Sequence, residues 1–170
     1  MRRANLIWII PTAITCAVGF YALAFGRLTL NASDSLDGNA YAMVTWPLDL
    51  RPGTIAAIKL PEVLRDKFDG HELYLTKRIV GIAGDPVSVN GNTFCVNDTC
   101  VEGQLKDGKL VSPLWQGTEV PEGMIAVFGD SEDSLDSRYA VIGPRPVDDV
   151  IATGIEIPFP HWTELEDILK

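Results

Sequence analysis

Histidine, cysteine and basic residues are scarce in this sequence, and each shortage argues against a class of protein. The 170 residues include two histidines, His71 and His161, and three cysteines, and the histidines have no ligand partner near them in sequence. A zinc site built from Cys and His ligands is therefore not expected. The formal net charge is −9, which argues against a nucleic-acid partner because phosphate binding needs a basic surface. We expect no metal, no cofactor and no nucleic acid.

Charge is also missing from residues 6–26, which form one long apolar run. About 20 apolar residues are enough to span a bilayer core as a helix. Arg2 and Arg3 precede the run, and positive residues tend to remain on the cytoplasmic side. The sequence predicts a short cytoplasmic N-terminus (1–5), a single transmembrane anchor (6–26) in the inner, cytoplasmic membrane, and an exported periplasmic or extracytoplasmic domain (27–170).

A cleavable signal peptide is the alternative interpretation of the apolar run. Ala22-Leu23-Ala24 fits the small-residue pattern of a cleavage site. The run is longer than the roughly 7 to 15 residues of a signal peptide's apolar region, which favours a retained anchor. Arg27, on the far side of the run, weakens the orientation argument.

The exported part consists of short apolar segments separated by Gly and Pro, which predicts a mostly β domain. Asn90-Gly91 lies between two alternating segments and predicts a hairpin. Cys95 and Cys100 flank an Asn-Asp turn, so two short strands could bring their sulfurs close enough to form a disulfide in an oxidising compartment. We expect a single-domain, β-rich exported part.

Three polar segments carry the chemistry. Lys77 lies in the apolar strand LYLTKRIVGI, on the same face as Ile79. Burial would lower the pKa of its amine, and a neutral amine can act as a general base. The alternative is that Lys77 extends its amine to the surface. The other two segments are a dense polar loop after Gly129-Asp130, and Ser33 and Ser35 directly after the apolar run.

Together these segments resemble the type I signal peptidase family, and within it the conjugation-type peptidases that process pilin precursors. KRIVGIAGD (77–85) is similar to the family's lysine segment, and VPEGMIAVFGDSEDSLDSRY (120–139) to its strand and Asp-Ser-Arg loop. The resemblance implies a signal-peptidase-like β domain and a Ser/Lys dyad that works through an acyl-enzyme. It makes Ser35 the nucleophile and Lys77 the general base.

The resemblance also implies supporting roles. Ser33 and the Ser35 backbone N–H would hold the oxyanion, Ser134 would orient the lysine, and Asp136 and Arg138 would form a structural ion pair. The implied partners are the lipid bilayer, a membrane-embedded precursor such as a pilin, and a conjugative transfer apparatus.

The serine segment departs from the conjugation-type motif, Asn-x-Thr-x-Ser-x-Pro-x-Gly-x-Tyr. Asn31, Ser35 and Tyr41 align with it, and Ser33 stands at its threonine. Asp37 replaces the proline, and the glycine comes one place early at Gly38, so the turn after the nucleophile is expected to differ in shape. Ser33 remains the alternative nucleophile.

Two other functions fit the same residues. Some conjugation-type relatives transfer the acyl group to the substrate's own amino terminus and cyclise a pilin, and the sequence does not distinguish an amine acceptor from water. The altered segment at Asp37 and Gly38 would also suit a catalytically inactive, membrane-tethered assembly factor.

Overall fold

The computed structural model describes residues 2–31, 35–65 and 74–159, with side chains from Trp8 onward. Ser33, His71 and His161, which the sequence singled out, lie outside these ranges. The described residues form a long N-terminal helix, a short second helix and a set of mostly short strands: α1 (Arg2–Phe25), β1 (Gly26–Leu30), β2 (Ala40–Val44), β3 (Ile55–Lys59), α2 (Glu62–Arg65), β4 (Tyr74–Ile82), β5 (Val87–Asn90), β6 (Thr93–Val96), β7 (Thr99–Glu102), β8 (Leu105–Lys106), β9 (Lys109–Leu110), β10 (Met124–Phe128), β11 (Arg145–Pro146) and β12 (Val150–Ile157). The predicted mostly β fold is confirmed.

The apolar run forms helix α1, as predicted, and continues directly into strand β1. Its segment Trp8–Phe25 has a mean hydropathy of 1.7 and is long and apolar enough to cross a membrane. Gly26, predicted as the end of the anchor, is instead the first residue of β1. A Cβ atom at Gly26 would lie 2.4 Å from the Ala22 carbonyl oxygen, so the direct passage from helix to strand requires glycine here.

The end of α1 is fixed to the β domain by hydrogen bonds and aromatic contacts. The Phe25 carbonyl accepts a hydrogen bond of 2.9 Å from the Thr45 N–H, just after β2. The Tyr21 hydroxyl donates to the Trp46 carbonyl at 2.7 Å, and the Phe25 ring packs 5.7 Å from that of Trp46. These contacts satisfy orphan groups at the helix end and join the anchor to the sheet.

Seven strands form one antiparallel sheet in the order β1-β2-β12-β3-β4-β10-β11. β12, late in the chain, lies between β2 and β3. β3 contributes Ile55 and Ala57 to one core cluster and Ala56 and Ile58 to another, so the middle of the sheet is buried on both faces. This explains why β3 is an apolar run rather than an alternating segment.

A three-stranded sheet, β5-β6-β7, covers part of the main sheet. Phe94 and Val96 of β6 share a core cluster with Ala126 and Phe128 of β10. The predicted hairpin is present, with its two loop residues at Gly91 and Asn92, one place later than Asn90-Gly91 predicts. Gly91 has a φ of +62°, a backbone conformation that glycine adopts without strain.

Cys95 and Cys100 are directly paired across β6 and β7 and form a disulfide, the bridge that the sequence allowed. The Asn-Asp turn between them has Asn97 at a φ of 52°, in the left-handed region that Asn tolerates. The bridge therefore closes a hairpin whose turn is encoded by its own residues.

Replacing Gly154 of β12 with alanine should destabilise the main sheet, because the added Cβ would lie 2.0 Å from the Ala42 carbonyl oxygen on β2. Overpacking against backbone costs about 3 kcal/mol. Urea unfolding of the detergent-solubilised protein measures this loss. The control is Ile155→Ala on the same strand, where the side chain is 67% exposed and the change should stay within about 0.5 kcal/mol. Equal stability of the two variants would contradict the prediction.

Candidate active site

Lys77 is buried in the middle of strand β4. It lies opposite Ala56 of β3 and on the same face as Ile79, and its side chain is only 3% exposed. The expectation that Lys77 shares the buried face is thus confirmed, and the interpretation that its amine reaches the surface is wrong. Its Nζ donates a hydrogen bond of 2.7 Å to the Ser134 hydroxyl, which is equally buried.

Burial lowers the pKa of Lys77 from its ordinary value of 10.5 to about 8. Loss of water around the charged amine is the main cause; the negative charge of Asp136 opposes it, and the positive charge of Arg138 adds to it. An amine with this pKa is partly neutral near neutral pH and can accept a proton, which is what a general base requires.

The backbone of Ser35 lies beside the end of strand β10, close to Ser134. Its carbonyl accepts a hydrogen bond of 2.8 Å from the Asp130 N–H. A Cβ atom at Gly129 would lie 2.0 Å from the Ser134 hydroxyl oxygen and 2.5 Å from the Ser35 carbonyl oxygen. The absent side chain at Gly129 thus allows the Ser35 backbone, Ser134 and, through Ser134, Lys77 to meet.

Asp136 and Arg138 form a fully buried ion pair, with 2.7 Å between Arg138 Nη2 and Asp136 Oδ2. Asp136 also accepts a hydrogen bond from the Gly129 N–H at 3.0 Å. Arg138 Nη1 donates to the carbonyls of Glu102, at 2.7 Å, and Glu132, at 3.1 Å. The pair therefore fixes the loop that carries Ser134 to both the end of β10 and the end of β7.

Arg78 and Asp130 form a second ion pair that the sequence reasoning did not single out, with 3.1 Å between Arg78 Nη2 and Asp130 Oδ2. The Asp37 N–H donates to the same carboxylate oxygen at 3.2 Å. Arg78 follows Lys77 directly and points to the other face of β4. The only sequence signal for this pair was the charge of Arg78 next to the lysine, which does not identify a partner 52 positions away.

Ser137, which the sequence did not predict as a site residue, also holds the polar loop in place. It is completely buried, and its hydroxyl accepts a hydrogen bond of 2.9 Å from the Val127 N–H. Beside the loop, a cavity of about 750 Å³ opens between residues 129–133 and the end of β7. Among the described residues, no three His, Cys, Asp or Glu side chains are grouped closely enough to hold a metal ion.

The structure thus brings the Ser35 backbone, Lys77, Ser134, Asp136 and Arg138 to one place, whereas Ser33 falls outside the described residues. They come from three separate segments: the turn after β1, strand β4 and the loop that follows β10. A buried amine of lowered pKa beside a serine-bearing turn can perform proton transfer to and from a nucleophilic hydroxyl.

The chain is similar in sequence to known proteins. The family model described as signal peptidase, peptidase S26, matches residues 1–159. Signal peptidase I U of Bacillus subtilis (strain 168) is 30% identical over 107 residues, which cover 58% of this chain and 56% of that protein. The chain therefore matches little more than half the length of this relative.

Among solved structures, the chain is similar to a signal peptidase I from Enterococcus faecalis V583, with 22% identity and a TM-score of 0.38. That match covers 59% of this chain and 92% of the other. The family model, by contrast, extends over the helix, the sheet and every described residue of the site. On that match, the chain belongs to the signal peptidase family, peptidase S26.

Proposed function

We propose that this protein is a membrane-bound serine endopeptidase that removes leader or signal peptides from exported precursors by means of a Ser35/Lys77 dyad. The observation that carries the proposal is the buried amine of Lys77, which is 3% exposed and has a pKa of about 8. A costly buried lysine has no use in a scaffold, but it is what a general base beside a serine requires.

In the proposed reaction, neutral Lys77 takes the proton from the Ser35 hydroxyl as its oxygen attacks the scissile carbonyl. The protonated lysine then gives that proton to the leaving amine, and the peptide bond breaks to leave an acyl-enzyme on Ser35. Lys77 next takes a proton from water as the water attacks the ester. The ester bond then breaks, Lys77 returns the proton to the Ser35 oxygen, and the cleaved leader peptide is released. Ser134 holds the lysine amine, and the Ser35 N–H with the Ser33 hydroxyl stabilises the oxyanion.

The helix α1 anchors the enzyme in the inner membrane, with its N-terminus in the cytoplasm and the β domain outside. Arg2 and Arg3 support this orientation, and so does the disulfide between Cys95 and Cys100, which suits an oxidising compartment. Arg27 at the far end is compatible with it, because its guanidinium donates to the Gly26 carbonyl at 2.7 Å, beside the C-terminus of α1.

The proposed substrate is a precursor held in the same membrane, with its cleavage site just outside the bilayer. Leu28, Leu30 and Ile155 beside the anchor are 80%, 62% and 67% exposed, which supports a domain that rests on the membrane surface. Tethering enzyme and substrate to one surface raises their effective concentration. The resemblance of Asn31, Ser35 and Tyr41 to the conjugation-type motif makes a pilin, and with it a conjugative transfer apparatus, the proposed partner.

Ser35→Ala and Lys77→Ala should each abolish precursor cleavage while the protein still accumulates in the membrane. Ser33→Ala should retain weak activity, because losing one oxyanion donor costs about a hundredfold or more in rate. Cleavage of a candidate pilin precursor, followed by mass spectrometry, measures this. Full cleavage by the Ser35 and Lys77 variants would refute the proposed enzyme and favour an assembly factor. A product lighter by one water than the linear peptide would identify the cyclising reaction. Residual activity in Ser35→Ala with none in Ser33→Ala would make Ser33 the nucleophile.

The value of kcat/KM should rise about tenfold per pH unit below pH 8 and level off above it, because only the neutral form of Lys77 accepts the proton and its pKa is about 8. The pH dependence of kcat/KM reports ionisations of the free enzyme and free substrate. The peptide substrate should have no group that titrates near pH 8, so that any ionisation seen belongs to the enzyme. A profile already flat from pH 6 upwards would contradict the assignment of Lys77 as base.

Lys77→Met should abolish activity yet stabilise the fold at pH 7, by up to about 3 kcal/mol, since each pKa unit of depression costs about 1.4 kcal/mol in the charged state. The folded pKa of Lys77 is about 8, against 10.5 unfolded. The gain should therefore be full below pH 8, shrink as pH rises, and vanish near pH 10.5. Urea unfolding at pH 7 and pH 10 tests this, with the exposed Lys59→Met on β3 as control, expected to change stability by about 0.5 kcal/mol or less. Destabilisation by Lys77→Met at pH 7 would contradict the prediction.

A further inference from the structure

The turn that carries Ser35 is held from inside by two side chains to which the proposed reaction gives no role. Asn31 precedes this turn, and its Nδ2 donates hydrogen bonds of 2.8 Å to the carbonyl of Leu36 and 2.8 Å to that of Gly38. Tyr41, on β2 after the turn, donates from its hydroxyl to the same Gly38 carbonyl at 2.7 Å. Two of the three carbonyls after Ser35 are thus fixed by residues that flank the turn.

Tyr41 is suited to this task because it is buried and remains protonated. The residue is 1% exposed, and burial, followed by the negative charge of Glu156, raises the pKa of its hydroxyl to about 12. Its ring packs with the buried Leu36 in one core cluster. The hydroxyl is therefore a donor at every physiological pH, on a ring that cannot move without disturbing the core.

Gly38 completes this arrangement and accounts for the displaced glycine of the motif. A Cβ atom there would lie 2.6 Å from the side-chain carbons of Glu156 and 3.0 Å from the ring of Tyr41. A side chain at this position would have to displace the exposed Glu156 side chain and press on the Tyr41 ring, so glycine eases the close approach of the turn to β12 and Tyr41.

The replacement of the motif's proline by Asp37 also has a consequence. The Asp37 N–H donates to Asp130, a hydrogen bond that proline cannot make. Asp130 in turn accepts from Arg78 and, through its own N–H, binds the Ser35 carbonyl. Asp130 therefore fixes the turn at Ser35 and Asp37. Asn31 and Tyr41 fix it at Leu36 and Gly38.

We propose that Asn31 and Tyr41 are positioning residues that lock the turn of Ser35 in its reactive geometry. The proposal rests on the proposed function, because the geometry matters only if Ser35 is the nucleophile. Neither side chain touches the reacting atoms. Both act through the carbonyls of Leu36 and Gly38, so their loss should slow the chemical step and leave substrate binding intact.

The test uses the full-length chain in detergent and a fluorogenic peptide with an Ala-x-Ala cleavage site. Asn31→Asp keeps the side-chain shape but removes both donated hydrogen bonds, and Tyr41→Phe removes one. We expect kcat to fall about tenfold or more for Asn31→Asp and about threefold to tenfold for Tyr41→Phe, with KM within about twofold. The pH midpoint of kcat/KM should stay at the wild-type value in Tyr41→Phe, because this change adds no charge near Lys77.

Tyr139→Phe is the matched control for the loss of a buried tyrosine hydroxyl. Tyr139 is 2% exposed and its hydroxyl accepts from the Gln104 N–H at 2.9 Å, away from the Ser35 turn. We expect this control to lower the melting temperature as Tyr41→Phe does but to keep the wild-type kcat. Unchanged kcat in both Asn31→Asp and Tyr41→Phe would overturn the proposal, as would equal losses of kcat in Tyr41→Phe and Tyr139→Phe.

If Asn31→Asp does not fold, the comparison of kcat between Tyr41→Phe and Tyr139→Phe still tests the proposal. Ser35→Ala, measured on the same peptide, separates this proposal from the proposed function. If Ser35→Ala cleaves as well as the wild type, or if the wild type does not cleave at all, the proposed function fails and the positioning role fails with it. If Ser35→Ala is inactive while both positioning variants keep full kcat, only the positioning role is refuted.

Discussion

A lysine amine kept out of water is the constraint on which the rest of the site depends. Burying a charge is costly unless the group becomes neutral or finds an opposite charge. The acid that acts most strongly on Lys77 is Asp136, yet both oxygens of Asp136 already accept hydrogen bonds from Arg138. Because the arginine occupies the acid, the hydrogen bond that Lys77 makes goes to the neutral hydroxyl of Ser134. Arg138 thus offsets part of the effect by which Asp136 raises the pKa of the lysine, and the ion pair also fixes the shape of the loop.

At this site, separate segments of the backbone lie closer together than side chains normally allow. Gly129 lets the Ser35 carbonyl and the Ser134 hydroxyl meet at the end of β10. Its N–H binds Asp136, so the same residue joins the nucleophile turn to the ion pair. A rigid framework of this kind is useful to a catalytic pair, since a displacement of about 1 Å can cost a hundredfold in rate. The buried polar residues are therefore better explained by the chemistry than by stability.

The sequence predicts features that are local and leaves open those that depend on distant contacts. Charge-free length is enough to predict α1, and Asn90-Gly91 predicts the first hairpin to within one position. The Asn-Asp turn places Cys95 and Cys100 on the two strands of the next hairpin, where they form a disulfide. Alternation places Lys77 with Ile79, but its burial depends on Ser134, 57 positions away, which no periodicity reveals. The insertion of β12 between β2 and β3 and the pair of Arg78 with Asp130 are equally non-local. Ser134, Asp136 and Arg138 were predicted only because their segment resembles a known family.

The direct passage from α1 into β1 sets where the chemistry can take place. No linker separates the two elements, and the contact of Phe25 with Trp46 resists bending at the junction. β1 has five residues, which at about 3.4 Å each carry the chain roughly 17 Å from the helix end. Ser35 follows five positions after β1 ends at Leu30, in a turn that folds back towards β2. If α1 spans the membrane, Ser35, the proposed nucleophile, is held at a short and fixed height above it. The proposed substrate, a precursor still anchored in the bilayer, would present its first extended residues at that height.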